Sequence, residues 1–317
     1  MTFEELYRQS LSVVSSLISQ SAKSSPVDMN PIKSQLKAVL ASIPEQGEDL
    51  LVLTHHGTSE NYLISHCLNS AILAILMGVE MRLSGEDLEK LGIAALMHDA
   101  GMMKLFEKVN RPVKLTPEDF EEVKNHPIYS TQLFESTDMD PEISRAILEH
   151  HERENGSGYP RGLGEGEIHK LASIIAVADV YQALVHPRPH RQQLVPFQAI
   201  KEMMRLRQLF NPQALKVLLE VVSVFPLGTI VELDSGSLGK VVKINKKSLM
   251  SPQIELFFSR IPPLFEKRIV DLFNSPLNIQ RCLTEEEMRD YIKKANKTQE
   301  PDNRGHYRVR KRWLFFH

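Results

Sequence analysis

The sequence predicts a mainly α fold: a multi-helix bundle with a small helical N-terminal region and a small β-containing C-terminal appendage. Three observations carry this. Between about Thr58 and Phe225, apolar residues recur at helical spacing in segments divided by helix-opening turns. Beyond Phe225 the period changes to two. The bulk composition, 317 residues with 42% hydrophobic and 25% charged, suits a soluble globular chain able to bury a full core.

The elements follow in order. Phe3, Leu6, Tyr7, Leu11, Val14, Leu17 and Ile18 mark a first amphipathic helix, a packing, sensory or dimerising element. A Ser/Pro-rich break, SQSAKSSPVDMNP, separates it from a second helical pattern that runs to about Ala41. In the next segment Leu63, His66, Cys67, Ser70 and Met77 fall near one helical face, and Leu88, Leu91, Ala95 and Leu96 do so in the one after. Ser84-Gly85, Thr116-Pro117 ahead of Glu118 and Asp119, Asp140-Pro141 and Asn211-Pro212 each open a helix. FPLGTIVEL, DSGS and LGKVVKI then read as a hairpin, and QIELFF as a further strand. Thr284 with Glu287 forms a capping-box pattern, and the tail HYRVRKRWLFFH alternates as a last strand. The expected division is 1–55, a helical region; 56–225, the main domain; and 226–317, the strands with a helix.

Charge and cysteine content exclude some classes. A net charge near -2 and a pI near 6.6 argue against nucleic acid or an anionic membrane as the main partner. Arg304, Arg308, Arg310, Lys311 and Arg312 interleave with Tyr307, Trp313, Phe315 and Phe316, which fits an edge strand better than a binding patch. Cys67 and Cys282 lack metal-type spacing and imply no disulfide framework, so a cytoplasmic location is expected. The N-terminus has no secretory pattern, and no stretch reads as the roughly 18 apolar residues that span a bilayer.

Chemistry concentrates in one set of side chains. His66, His98-Asp99, His126, His150-His151 and Asp179 each lie in or at the end of a separate apolar segment. Asp99 ends the run LGIAALM and Asp179 sits within ASIIAVADVY, so both carboxylates are headed for burial. An unpaired buried carboxylate costs several kcal/mol, and a shared metal cluster accounts for both with one cause. Singly, His66 reads first as a core histidine, and His126 equally as a ligand or as a helix-opening residue ahead of Pro127; the pair His150-His151 before GSGYP is the specific signal.

The series His66, HDAG at 98–101, His126 in NHP, HHERENGSGYP, VADVYQAL and RPHR resembles the HD-GYP family of bacterial cyclic-di-GMP phosphodiesterases, a branch of the HD-domain metal-dependent phosphohydrolases. The likeness covers residues 58–225 in order. It implies an HD-domain helix bundle with a metal pair bridged by Asp99, His66, His98 and Asp179 around one ion, and His126, His150 and His151 around the other. Some members hold a third ion through a Glu one turn before the first His; Tyr62 stands there, which implies two ions. Mixed nitrogen and oxygen donors without thiolate suit Fe(II), Mn(II) or Zn(II), and the resemblance favours the first two. His98 and Asp99 would be catalytic, and Arg188 and Arg191 would bind phosphate through their planar forks. Gly158, Tyr159 and Pro160 would form a stiff rim loop offering a ring to guanine or to a protein partner.

The chemistry needs such a set. Water has a pKa near 15.7, lowered to about 7 on a suitable metal, and roughly nine units at about 1.36 kcal/mol each is about 12 kcal/mol of easier deprotonation. Two divalent ions against two carboxylates and a hydroxide leave a formal charge of about +1, which attracts a phosphodiester. Three positions depart from the family pattern. Met102 stands in place of the Lys of HDxGK; the nearest, Lys104, lies about 200° further round a helix. Asn155 and Gln182 each replace an Asp. The expected activity is therefore metal-dependent hydrolysis of cyclic di-GMP to pGpG, or on to GMP. The alternative is a catalytically weak cyclic-di-GMP sensor or interaction module that keeps the metal site, with a homodimer open in either case.

Overall fold

The computed structural model describes residues 3–21, 28–54, 62–105, 116–135, 139–186, 193–245, 247–259 and 268–297. Residues 1–227 with 244–250 form one compact unit, and 228–243 with 251–317 form a second. The first unit is helical: α1 (Phe3–Ser21), α2 (Asn30–Leu53), α3 (Tyr62–Glu80), α4 (Gly85–Met97), α5 (Pro117–Val123), α6 (His126–Gln132), α7 (Pro141–Glu149), α8 (Lys170–Val185), α9 (Pro196–Arg205) and α10 (Pro212–Val222). The predicted turn residues sit at the helix starts because their side chains accept the first free backbone amides. Ser84 accepts from Asp87 N, Asp140 from Glu142 N, and Asn211 from Gln213 N and Ala214 N, while Thr116 and Asp119 form a full capping box.

Helix α3 is the axis of this unit, packed by α1, α2, α4, α8 and α10. It is long and apolar enough to cross a membrane, which corrects the reading that no stretch is. Ser65 to Gly78 are nevertheless buried without a break, because the surrounding helices cover every face, and the buried run includes His66, Asn69 and Ser70. The N-terminal helices share this core: Leu6, Val14, Ile32, Leu36 and Leu50 are buried in one cluster with Leu73, Leu91 and Ile175. Helix α2 continues through Pro44 and Gly47 to Leu53, past the expected end at Ala41, and buried Leu50 and Leu51 anchor the extension.

The second unit is an antiparallel sheet of β1 (Ile230–Leu233), β2 (Leu238–Lys243), β3 (Gln253–Phe258), β4 (Arg268–Asp271) and β5 (Ile279–Leu283), in the order β4-β3-β2-β1-β5, followed by α11 (Glu285–Lys297). The predicted hairpin pairs Ile230 with Lys240 and Val231 with Gly239. Two strands were not foreseen, β4 and β5, whose apolar alternation is too short to register. The capping box of α11 forms, with Thr284 N donating to Glu287 Oε2 at 2.7 Å and Glu287 N to Thr284 Oγ1 at 3.2 Å. The tail strand expected over 306–317 lies outside the described residues.

Between α4 and α5 a 3₁₀ segment, Ala100–Leu105, packs on α6. Gly101 makes that approach work: a Cβ there would fall on the His126 carbonyl oxygen and within 2.5 Å of the Ser130 amide nitrogen. Both atoms are backbone and cannot swing aside. Gly101→Ala is expected to lower stability by about 1–3 kcal/mol, read as an earlier urea midpoint at unchanged m-value. An unchanged midpoint would show that the two segments separate freely.

Candidate metal centre

Three helix ends and two helix interiors deliver the predicted ligands to one place. His66 comes from the second turn of α3 and Asp179 from the middle of α8; His98 caps α4 with Asp99 directly after it; His126 opens α6; His150 caps α7 with His151 following. Their donor atoms fall into two groups, Asp99, His126, His150 and His151 in one, and His66, His98 and Asp179 in the other, each with all atoms within 4.8 Å of one another. All are buried except His151, which is half-buried.

Three imidazoles are aimed by the carbonyl three residues upstream, at the end of α4 for His98, of α5 for His126 and of α7 for His150. His98 Nδ1 lies 2.7 Å from Ala95 O, His126 Nδ1 2.7 Å from Val123 O, and His150 Nδ1 2.6 Å from Ile147 O. A carbonyl oxygen only accepts, so each Nδ1 carries the proton and each Nε2 presents a lone pair to the interior. The Nε2 atoms of His126 and His150 are 3.3 Å apart, so with both rings neutral they face each other lone pair to lone pair. That repulsion is removed either by a proton on His126 or by a cation between the rings. His98 Nε2 is buried with no hydrogen-bond partner among the described residues, a further sign of a donor set built for an ion.

Asp99 spans the groups. Its Oδ1 is 3.1 Å from His126 Nε2 and 3.8 Å from His150 Nε2; its Oδ2 is 3.7 Å from His66 Nε2 and 3.6 Å from His98 Nε2. Asp179 Oδ1 is 3.0 Å from His66 Nε2 and its Oδ2 3.9 Å from His151 Nδ1. Burial alone would raise both carboxyl pKa values, but the imidazoles outweigh it and hold each well below the usual range: His98, His126 and His66 around Asp99, and His66, His151 and His98 around Asp179. Burial, then the charge of His98 and His126, pushes His150 down to about 3. Burial and the neighbouring His150 and His126 lower His151 as well. Burial opposes charge on His126 too, but its contact with Asp99 wins and its pKa is raised above 6.5.

The loop after His151 is tied down by two carboxylates the sequence reading did not single out. Glu149, fully buried, accepts from Arg145 Nε at 2.8 Å, from Arg161 and from His169 N at 2.7 Å. Glu152, also buried, accepts from Arg161 N at 2.7 Å and Leu163 N at 2.9 Å. Gly158 lies against the 151–153 backbone, where a Cβ would come within 2.5 Å of Arg153 N. The Tyr159 ring rests 4.7 Å from that of His151, and its phenol pKa is raised by burial. The Tyr159–Pro160 peptide is cis. Ser130, one turn past His126, clamps the other side, donating to His98 O at 2.7 Å and accepting from Gly101 N at 2.8 Å. The Tyr62 ring stacks on His66 at 5.3 Å and fills the place where a third-ion Glu would stand. Lys104 turns to Gln132 Oε1 at 3.3 Å and to the Tyr129 ring at 4.8 Å. Arg188 and Arg191 lie outside the described residues.

Comparison with known proteins agrees with this geometry. The HD domain matches residues 48–213. The chain belongs to the HD-domain family. Its resemblance to the HD-GYP branch is borne out by two relatives. The cyclic di-GMP phosphodiesterase PA4108 of Pseudomonas aeruginosa is 32% identical over 74% of this chain and 57% of its own length. The cyclic di-GMP phosphodiesterase PdeB of Borreliella burgdorferi is 28% identical over 73% of this chain and 62% of its own. The chain thus spans about three fifths of each relative. Among solved structures, Bd1817, an HDG"Y"P protein from Bdellovibrio bacteriovorus, superimposes with a TM-score of 0.57 at 20% identity, covering 67% of this chain and 69% of that one, and shares the fold. HD domains bind divalent metals, and the His/Asp cluster fits that use.

Protons and metal compete for His126. In the ion-free protein the His126–Asp99 pair contributes stability fully present below the unfolded pKa of about 6.5 and lost as pH rises through the raised folded value. Ion uptake has the opposite sign: Mn(II) affinity of the His126 group is expected to rise by up to about tenfold per unit between pH 6 and the raised pKa, then level off. Calorimetric titrations across pH 6–8 check this, and a flat profile would show that His126 holds no proton that an ion must displace.

Proposed function

We propose that this HD domain is a metal-dependent phosphodiesterase that hydrolyses cyclic di-GMP to pGpG, with cleavage on to GMP as a second step, at a two-ion centre of Fe(II) or Mn(II), Zn(II) being the remaining option. The observation that carries the reading is Asp99, with one oxygen turned to each histidine group. Divalent ions held there would lower the pKa of water and draw the phosphodiester anion. The chain's own residues do the rest: His98 and Asp99 complete both groups, and the loop with the half-buried Gly158, Tyr159 and Pro160 closes one side of the centre. Arg188 and Arg191 are assigned to the phosphates, with Lys104 as an outlying cation. The named activity of both relatives supports the substrate.

The same reading divides the chain into a sensory or dimerising region 1–55, the phosphohydrolase domain 56–225 and the appendage 226–317, and places it in the cytoplasm, where Cys67 and Cys282 are free thiols. A protein partner at the Gly158-Tyr159-Pro160 loop and a homodimer belong to it as well. Met102 and Gln182 favour a second reading, a weakly catalytic sensor, because each replaces a charged group of the family pattern by a neutral one.

Protein loaded anaerobically with Fe(II) or Mn(II) is expected to bind about two ions per chain and to convert cyclic di-GMP to pGpG, followed by chromatography. Asp99→Ala should lose at least one ion and more than about a hundredfold in turnover, exceeding the typical loss for a group that merely supports a ligand. Tight cyclic-di-GMP binding with no product would select the sensor; neither binding nor turnover would sink both readings.

A further inference from the structure

Beside the ligand set, a second chain of buried polar side chains crosses three helices. Tyr7 of α1 donates its phenolic hydrogen to Asn69 Oδ1 of α3 at 2.7 Å, and Asn69 Nδ2 lies 2.7 Å from Nε2 of His186, the residue that caps α8. His186 Nδ1 lies 2.9 Å from the Gln182 carbonyl oxygen. That carbonyl fixes every direction in the chain. It can only accept, so Nδ1 carries the proton, Nε2 accepts from the Asn69 amide nitrogen, and the Asn69 oxygen is left to accept from Tyr7. Exposure is 0% at Asn69, 1% at His186 and 9% at Tyr7, and burial pushes the Tyr7 phenol up to about 12, so the hydroxyl stays a donor.

The placement of this chain ties it to the metal centre. Asn69 follows His66 by three residues on α3, and His186 follows Asp179 by seven, two helical turns on α8. The His66–Asp179 contact at 3.0 Å and the Asn69–His186 contact at 2.7 Å are therefore successive rungs between the same two helices. Apolar packing alone would hold these helices together while allowing small slides and rotations; a fully satisfied, directional rung permits one register. The outer end of the rung is anchored in α1, a helix that supplies no ligand.

We propose that Tyr7, Asn69 and His186 are positioning residues for the His66–His98–Asp179 ion site, and that they link its geometry to the N-terminal helix. The proposal rests on the reading of the ligand set as a two-ion centre but not on its substrate. The test is Mn(II) titration of the full ion-free chain by calorimetry, with folding followed by circular dichroism. Asn69→Leu is expected to weaken one of the two ions by about tenfold and leave the other unchanged. Tyr7→Phe, which keeps the ring and its packing, should weaken the same ion by about threefold. Ser10→Ala removes another buried hydroxyl of α1, one bonded to Leu6 O and Gln35, and should leave both ions at wild-type affinity. Should Asn69→Leu fail to fold, Tyr7→Phe decides alone. Wild-type affinity at both ions in Tyr7→Phe, equal weakening of both, the same loss in Ser10→Ala, or a wild-type chain that takes up no ion would each overturn the proposal. A wild-type chain that takes up two ions yet leaves cyclic di-GMP intact would instead defeat the phosphodiesterase reading, while the loss of one ion in Tyr7→Phe would still support the positioning role.

Discussion

A carboxylate at 9% exposure, with its two oxygens turned to opposite histidine groups, sets the terms for the rest of this molecule. A buried anion is tolerated only where its surroundings compensate the lost hydration, and at Asp99 the compensation comes from four imidazoles delivered by four different elements. Helices α3, α4, α6 and α7 must therefore end or pass at one point. The axial position of α3, the 3₁₀ segment after α4, and the close contact at Gly101 are the backbone features that make this convergence fit.

Much of this was legible in the sequence because it is local. Ser84, Thr116, Asp140 and Asn211 announce helix starts by chemistry within three residues, and the ligands announce themselves as polar groups stranded in apolar runs. What escaped is tertiary. Nothing near Ser130 in the chain reveals that its hydroxyl bridges His98 and Gly101, some 30 residues away. Glu149 and Glu152 carry no mark in the sequence, yet both are buried and accept from backbone amides 9 to 20 residues further on. Helix α3 was underestimated for the same reason: its His, Asn and Ser hide its apolar length from a residue-by-residue reading, although all three are core residues. Strands β4 and β5 derive their shape from pairing with β3 and β1 rather than from their own pattern.

The departures from the family pattern have distinct structural outcomes. Asn155 keeps the turn an Asp would make, accepting from Ser157 N at 3.2 Å and Ser157 Oγ at 2.7 Å, so the loop leading to Gly158 loses nothing. Gln182 is fully buried, and neither its Oε1 nor its Nε2 finds a hydrogen-bond partner among the described residues, one turn along α8 from Asp179. Met102 is half-buried in the 3₁₀ segment. Neutral side chains at 102 and 182 leave the charge of the ligand set untouched, so the centre is electrostatically complete without them.

The carbonyls three residues before His98, His126 and His150 have a further meaning. Each imidazole inherits its heading from its own segment, so aim and location are set by separate parts of the chain. Drift in the packing of the bundle moves a ligand sideways without twisting it, and the last turn of a helix arrives at the centre already facing inward. A scaffold of this kind tolerates extensive change in its outer surface and its appended modules, since the angular part of coordination is written in short peptide units rather than in the assembly that gathers them.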